Sequence, residues 1–317
     1  LDHIEEILGL VEAIFPVKKG SFVFGPMVCI DWGPGPIISA VLGVMVSLPE
    51  PLRIALIGQL SVKLPPSAAK GETLKPILDL NMDVLGLIDF GTGLFALDGR
   101  LYDSTLLQKF KLSGDIAFRA YFGSRPSFLF CVGGFHPSFE PPADIGALER
   151  MTLSFELKKS QEDPKSETIA RFALKSYLAL TSNTLQTGAR FDFFARLWTF
   201  TIAGGAGFNA ILWYKPFRIE FDADVAVTVS LGSRRLMGVD LALHATGPHP
   251  WHLWGDASFD FLGLEVSKSF DLTFSSGSGY KGELERAPVA ALLKERLADG
   301  RAWDVRPARS RPLVLRA

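Results

Sequence analysis

From about residue 21 onward, apolar and polar positions along this chain alternate with a period of two. The clearest run is Phe217 to Leu231. Phe217, Ile219, Phe221, Ala223, Val225, Val227, Val229 and Leu231 fall on one parity; Arg218, Glu220, Asp222, Asp224, Thr228 and Ser230 fall on the other. Successive side chains of an extended chain leave opposite faces, so this pattern belongs to a strand with one apolar and one polar face.

The same grammar recurs. Ile54, Leu56, Leu60, Val62 and Leu64 alternate with Arg53, Gln59, Ser61 and Lys63; Leu78, Leu80, Met82 and Val84 alternate with Asp79, Asn81 and Asp83. Leu112, Ile116, Phe118, Ala120 and Phe122 repeat it, as do Ala189, Phe191, Phe193, Ala195 and Leu197, and later Leu264, Val266, Phe270, Leu272 and Phe274. There are roughly a dozen such runs, many of about 9–13 residues, where an ordinary strand has about 5–6. Long strands joined by Gly, Pro and Asp turns imply an antiparallel meander, because parallel strands need helical crossovers and no helical pattern lies between these runs. The doubly wound α/β class is excluded.

Four runs carry glycine on the apolar parity in the pattern apolar–x–Gly–x–apolar: Gly58, Gly99, Gly114 and Gly255. Glycine weakens a strand interior, so it marks curvature, a bulge, a large cross-strand neighbour or room beside the backbone. A phenylalanine packed over it from the next strand is the leading reading.

The ends of the chain differ. Residues 1–16 read as an amphipathic helix, with Asp2 as cap, Ile4, Leu8, Val11 and Phe15 on one stripe, and Pro16 as stop. Residues 17–275 form the β region, interrupted by a polar loop at 159–167. Residues 276–317 comprise a Gly/Ser turn, a short helix over Pro288 to Ala298 and an arginine-rich tail.

Charge changes little in this picture. Lys+Arg is 33 and Asp+Glu is 34, which gives no pull toward nucleic acid. Hydrophobic content changes it more: 48% of residues, with 25 Phe against 5 Tyr and 6 Trp, so much of the aromatic surface has no polar tip. Mean hydropathy is +0.22. Cys29 and Cys131 sit inside strand patterns and read as two free buried thiols, with one disulfide as the alternative. The chain begins at Leu1 without a signal-peptide pattern, which reads as a piece excised from a longer polypeptide, with a removed leader as the alternative.

Candidate chemistry is sparse. Zincin, CxxC, P-loop and GxSxG motifs are absent from the sequence. Gly277-Ser278-Gly279-Tyr280-Lys281-Gly282 spells GxGxxG but lacks the βαβ unit a dinucleotide site needs. His249 and His252 lie three apart, His136 and His244 are distant, and no third metal ligand has diagnostic spacing. Asp222 with Asp224, and Asp79 with Asp83, share a face as any polar strand face would, so a carbohydrate-active hydrolase with an unrecognised carboxylate site is the second alternative. No cofactor is expected.

Four stretches resemble those of one family: Gly133-Gly134-Phe135-His136-Pro137 with Pro141-Pro142; Thr181-Ser182-Asn183-Thr184 with Gln186; Gly207-Phe208-Asn209-Ala210 running to Pro216-Phe217; and Gly247-Pro248-His249-Pro250-Trp251. Together, across residues 30–275, they resemble an uncharacterised family of β-rich modules in very large bacterial proteins associated with phage-tail-like contractile injection systems. The resemblance implies a module of a larger bacterial polypeptide in a cell-envelope or secreted assembly. It carries over no activity and no site residue.

The expected protein is therefore mainly β, a long-stranded antiparallel meander forming a strongly curved sheet, barrel or groove, with a short helix at each end. Its expected role is non-enzymatic: a Phe-rich apolar face that packs against, or holds, lipid-like chains or a partner segment. Phe118, Phe122, Phe191, Phe193, Phe221, Phe259, Phe261, Gly58, Gly114 and Gly255 are the candidate residues of that face. An outer-membrane-type barrel is the alternative architecture; the scarcity of Tyr and Trp for interfacial girdles argues against it.

Overall fold

The computed structural model describes residues 15, 19–33, 37–49, 52–65, 75–160, 165–248, 250–274, 294 and 298. The chain divides into two compact units, Leu1–Ser275 and Ser276–Ala317. In the second, Lys294 and Ala298 are described and both are helical. The helix expected over 1–16 (apart from Phe15), the Gly/Ser turn and the arginine-rich tail lie outside the described residues.

The described part of the first unit is built of strands. In chain order they are β1 (Phe22–Phe24), β2 (Met27–Trp32), β3 (Ile38–Leu48), β4 (Arg53–Leu64), β5 (Leu78–Asp89) and β6 (Leu94–Leu106). There follow β7 (Phe110–Tyr121), β8 (Ser127–Val132), β9 (Met151–Lys158), β10 (Thr168–Thr181) and β11 (Thr184–Leu197). The last are β12 (Phe200–Tyr214), β13 (Phe217–Leu231), β14 (Arg234–Gly247), β15 (Trp251–Phe261) and β16 (Leu264–Phe274). The run read from Phe217 to Leu231 is β13, residue for residue. The polar stretch 159–167 joins β9 to β10, closed by the Lys159 amide donating to the Glu167 carbonyl.

All sixteen strands form one antiparallel sheet in which chain neighbours are sheet neighbours, with two exceptions. At one edge β1 and β2 both pair with β3. In the middle, β8 and β9 share one ladder position between β7 and β10. β8 pairs with Ile116–Tyr121 of β7 and β9 with Lys111–Ser113. On the far side, Val132 of β8 pairs with Leu178 of β10, and Met151 of β9 pairs with Ser176. Between Val132 and Met151 the chain leaves the sheet, crosses one face and returns. Gly133 marks the exit with φ +73°, and a Cβ there would stand 2.4 Å from the Ser176 carbonyl oxygen. This position requires glycine.

Residues paired directly across a ladder share a face, so the register extends each strand's alternation over the whole sheet. One row runs Leu272, Leu253, Ala245, Phe221, Ala210, Thr187, Leu178, Val132, Ile116, Gly99, Val84, Gly58, Leu42, Val28. The apolar parities of all strands from β3 to β16 thus fall on a single face. On the other face lie the ion pairs, among them Arg53–Asp89, Arg100–Asp115, Arg119–Asp98 and Arg190–Asp224.

The one buried hydrophobic cluster among the described residues sits on the polar face. Ala117, Leu129, Cys131 and Ala179 point that way, and the excursion between β8 and β9 covers them with Ile145, Phe135, Phe139 and Leu148. On the apolar face no large strand side chain is buried, and among the described residues every pair of strands in extensive contact is a ladder pair. The sheet is a single layer there. Nor does the ladder close: among the described residues β16 pairs with β15 alone, and β1 and β2 pair with β3 alone.

Candidate functional site

Nine of the ten residues expected on the apolar face are placed on it by the register. Phe191 and Phe193 lie on β11, Phe221 on β13, Phe259, Phe261 and Gly255 on β15, Gly58 on β4, and Phe118 and Gly114 on β7, with Phe122 one residue beyond β7. Phe110, Phe155, Phe172, Phe191 and Phe193 form a connected aromatic patch across β7, β9, β10 and β11, with centroids 5.5–5.9 Å apart. Phe191 is 40% exposed and Phe259 44%. The rings of the patch touch one another in the plane of the sheet.

The glycines serve the sheet, and the room beside them is taken. A Cβ on Gly58 would meet the Val41 carbonyl oxygen at 2.0 Å, and one on Gly255 would meet the Ala242 carbonyl oxygen at 2.2 Å and the Phe270 ring at 2.9 Å. Met82 lies over Gly99 and Met151 over Gly114. Neighbouring side chains and backbone occupy the space that the sequence left open for a ligand. Phe270 over its cross-strand partner Gly255 is the arrangement expected from sequence.

The fourteen strands of the main ladder, about 4.8 Å apart and about 12 residues long, give each face on the order of 2,500 Å². Monomers rarely expose a contiguous apolar patch beyond about 300–600 Å². Removing even half of this face from water would stabilise by on the order of 30 kcal/mol at about 25 cal/mol per Å². Among the register-paired residues from β3 to β15 the face has one charge, Arg234, at a strand end; Lys268 adds one on β16. Ser104, Ser176, Thr187 and Tyr214 supply its hydroxyls.

The opposite face is chemically richer and its groups are paired. Arg119, nearly buried, donates to Asp98 and to Asp144 of the excursion, which also accepts from Tyr121. Burial opposes its charge, but the two carboxylates outweigh burial and raise its pKa. Asp115 also overcomes burial: the Arg100 guanidinium and the Glu149 amide hold its carboxyl below the ordinary range. Asp222 meets His244 at 2.5 Å, and Asp224 accepts from Arg190 at 2.9 Å. Asp79 is bonded to Asn81, and Asp83 to Gln59. Each carboxylate proposed for acid–base work from sequence is thus engaged. His252 bonds Asp271, and its ring stacks on Trp254, which stacks on His244 in turn. His249 and the GxGxxG stretch lie outside the described residues. Among the described residues no three His, Cys, Asp or Glu side chains gather in a metal-binding group.

Three of the four familiar motifs meet beneath the excursion. The His136 amide donates to Gln186 Oε1, whose Nε2 donates to Thr184. Tyr177 lies over Gly188, donates to Asn209 and carries Arg150 above its ring at 3.9 Å. Arg150 ties the crossing down by donating to the Gly133 and Phe135 carbonyls. Ser138 N–H donates to His136 Nδ1, which places the imidazole proton on Nε2, a buried atom without a hydrogen-bond partner among the described residues. Burial lowers the His136 pKa against the pull of Asp222 and Glu220, and burial pushes Tyr177 up to about 12. Nothing in the local sequence signals this network, because its members are up to 76 residues apart.

A family model matches residues 1–312. The chain belongs to a family of unknown function, DUF6603. No curated protein and no solved structure matches it. Both cysteines are free; Cys131 is buried, as expected, whereas Cys29 is exposed because β2 lies at the sheet edge.

Proposed function

We propose that this DUF6603 chain is a non-enzymatic binding module whose uncovered apolar sheet face holds acyl chains. The observation that carries this reading is the register, which gathers the apolar side chains of β3–β16 on one face that no described element covers. Such a face offers an occupant almost no hydrogen bonds, so the occupant must be apolar along its length. An acyl chain meets that condition without help. A polypeptide meets it only as a second sheet whose own backbone groups are already paired. The aromatic patch from Phe110 to Phe193 supplies contact area without polar atoms. The non-enzymatic part of the proposal is supported by the carboxylates, which are committed to cross-strand partners. The resemblance of the four motifs supports placement in a larger bacterial protein.

Native mass spectrometry of the purified chain, followed by lipid extraction, tests the proposal. Acyl lipid should co-purify, and a fluorescent fatty acid should bind and be weakened about tenfold or more by Phe191→Asp with Phe208→Asp. A ligand-free monomer that ignores the probe would sink the proposal. A ligand-free dimer that loses its apolar surface to a second copy would replace it with a scaffold role.

A further inference from the structure

The hairpin turns at one rim of the sheet break the rule for such turns in a way the apolar face does not explain. Two-residue turns need a positive φ at their first position, where a Cβ crowds the following carbonyl, and glycine or asparagine ordinarily takes it. The β13–β14 turn follows the rule with Gly232 at φ +60°. The turns on either side do not: Trp198 between β11 and β12 has φ +56°, and Leu262 between β15 and β16 has φ +51°. Trp198 is 87% exposed and Leu262 52%, so neither is held there by packing.

The three turns form one line. Gly232 donates to the Thr199 carbonyl of the β11–β12 turn, and Leu262 donates to the Leu236 carbonyl near the start of β14. Successive hairpins stand about 10 Å apart, twice the strand spacing. Leu264, 76% exposed, continues the apolar face onto this rim, and Arg234 stands between the two apolar tips.

We propose that this rim docks on a lipid bilayer, with Trp198 and Leu262 inserted at the interface and Arg234 against the phosphates. A protein partner would need a separate pocket for each tip at a fixed spacing. A fluid interface accepts separate apolar tips as they come, and tryptophan between an apolar layer and water favours that depth. The uncovered face then opens toward the bilayer at its margin. The rim proposal adds an entry side to the acyl-chain reading, yet it rests on the turns and can stand without it.

The test is flotation of the full chain with vesicles of phosphatidylcholine containing one-quarter phosphatidylglycerol. The wild type should float. The double variant Trp198→Asn, Leu262→Asn should lose at least about tenfold in vesicle-bound fraction. Its unfolding midpoint should stay level or rise, because asparagine relieves the left-handed strain. Trp198→Gly with Leu262→Gly should behave the same way, which covers failure of the first pair to fold. Both variants should still bind a soluble fluorescent fatty acid, and this separates the rim from the face. Failure of the wild type to float would overturn the proposal. So would unchanged flotation of the variants, or self-association that depends on Trp198 in place of vesicle binding.

Discussion

At Gly255 a single methyl group would collide with backbone, since the Ala242 carbonyl oxygen lies 2.2 Å from where it would sit. At Gly99 the nearest atom is the sulfur of Met82, the far end of a flexible side chain. The two glycines look alike in sequence and should part on substitution. Gly255→Ala should cost about 1–3 kcal/mol and Gly99→Ala less than about 1 kcal/mol, read as shifts in the urea midpoint. His136 makes a second residue-scale prediction. Its pKa is depressed in the fold, so the unfolded chain takes up the proton first as pH falls. Its contribution is therefore intact above about pH 6.5 and lost as pH drops toward the folded value. The urea midpoint should fall between about pH 7.5 and 5, and fall less in His136→Asn, whose carbonyl can still accept from Ser138. Asp115 and Asp89, depressed by their partners, add their losses further down in acid.

The element that matters most is the excursion between β8 and β9, the only described segment that covers a face. It is held by Arg119 to Asp144, Asp115 to the Glu149 amide, and Arg150 to two of its carbonyls. Arg119→Met keeps the bulk and removes the clamp, leaving Asp98 and Asp144 half-exposed rather than buried. The expected cost is about 1–3 kcal/mol. Amide exchange should rise in 133–149 before it rises in β12 or β13. Uniform loss of protection across the sheet would argue against the clamp. Strand patterns near this element were readable. Its placement was not. Which face a loop covers depends on groups as distant as Gln186, and alternation within a strand is silent about them.

On the scale of the whole molecule, the sheet presents a wide face that water solvates poorly. Charges placed in its middle should help solubility and hurt binding together. Phe208→Asp should raise the solubility limit and reduce uptake of a fluorescent fatty acid, while Asp224→Asn on the opposite face should leave uptake unchanged. Equal effects from both would mean that the probe does not use the apolar face.

Strand identity, antiparallel order and the face of each candidate residue could be read from the linear chain. Each follows from a period of two, which is local, and pairing across the ladder preserves it. Folding in three dimensions decided three further things. It put the buried core on the polar face, chose which neighbouring atoms fill the glycine seats, and left the long apolar face uncovered by any described element beside a rim of Trp198 and Leu262. Those outcomes depend on which distant atoms arrive next to a residue, and a sequence pattern records only what each residue brings.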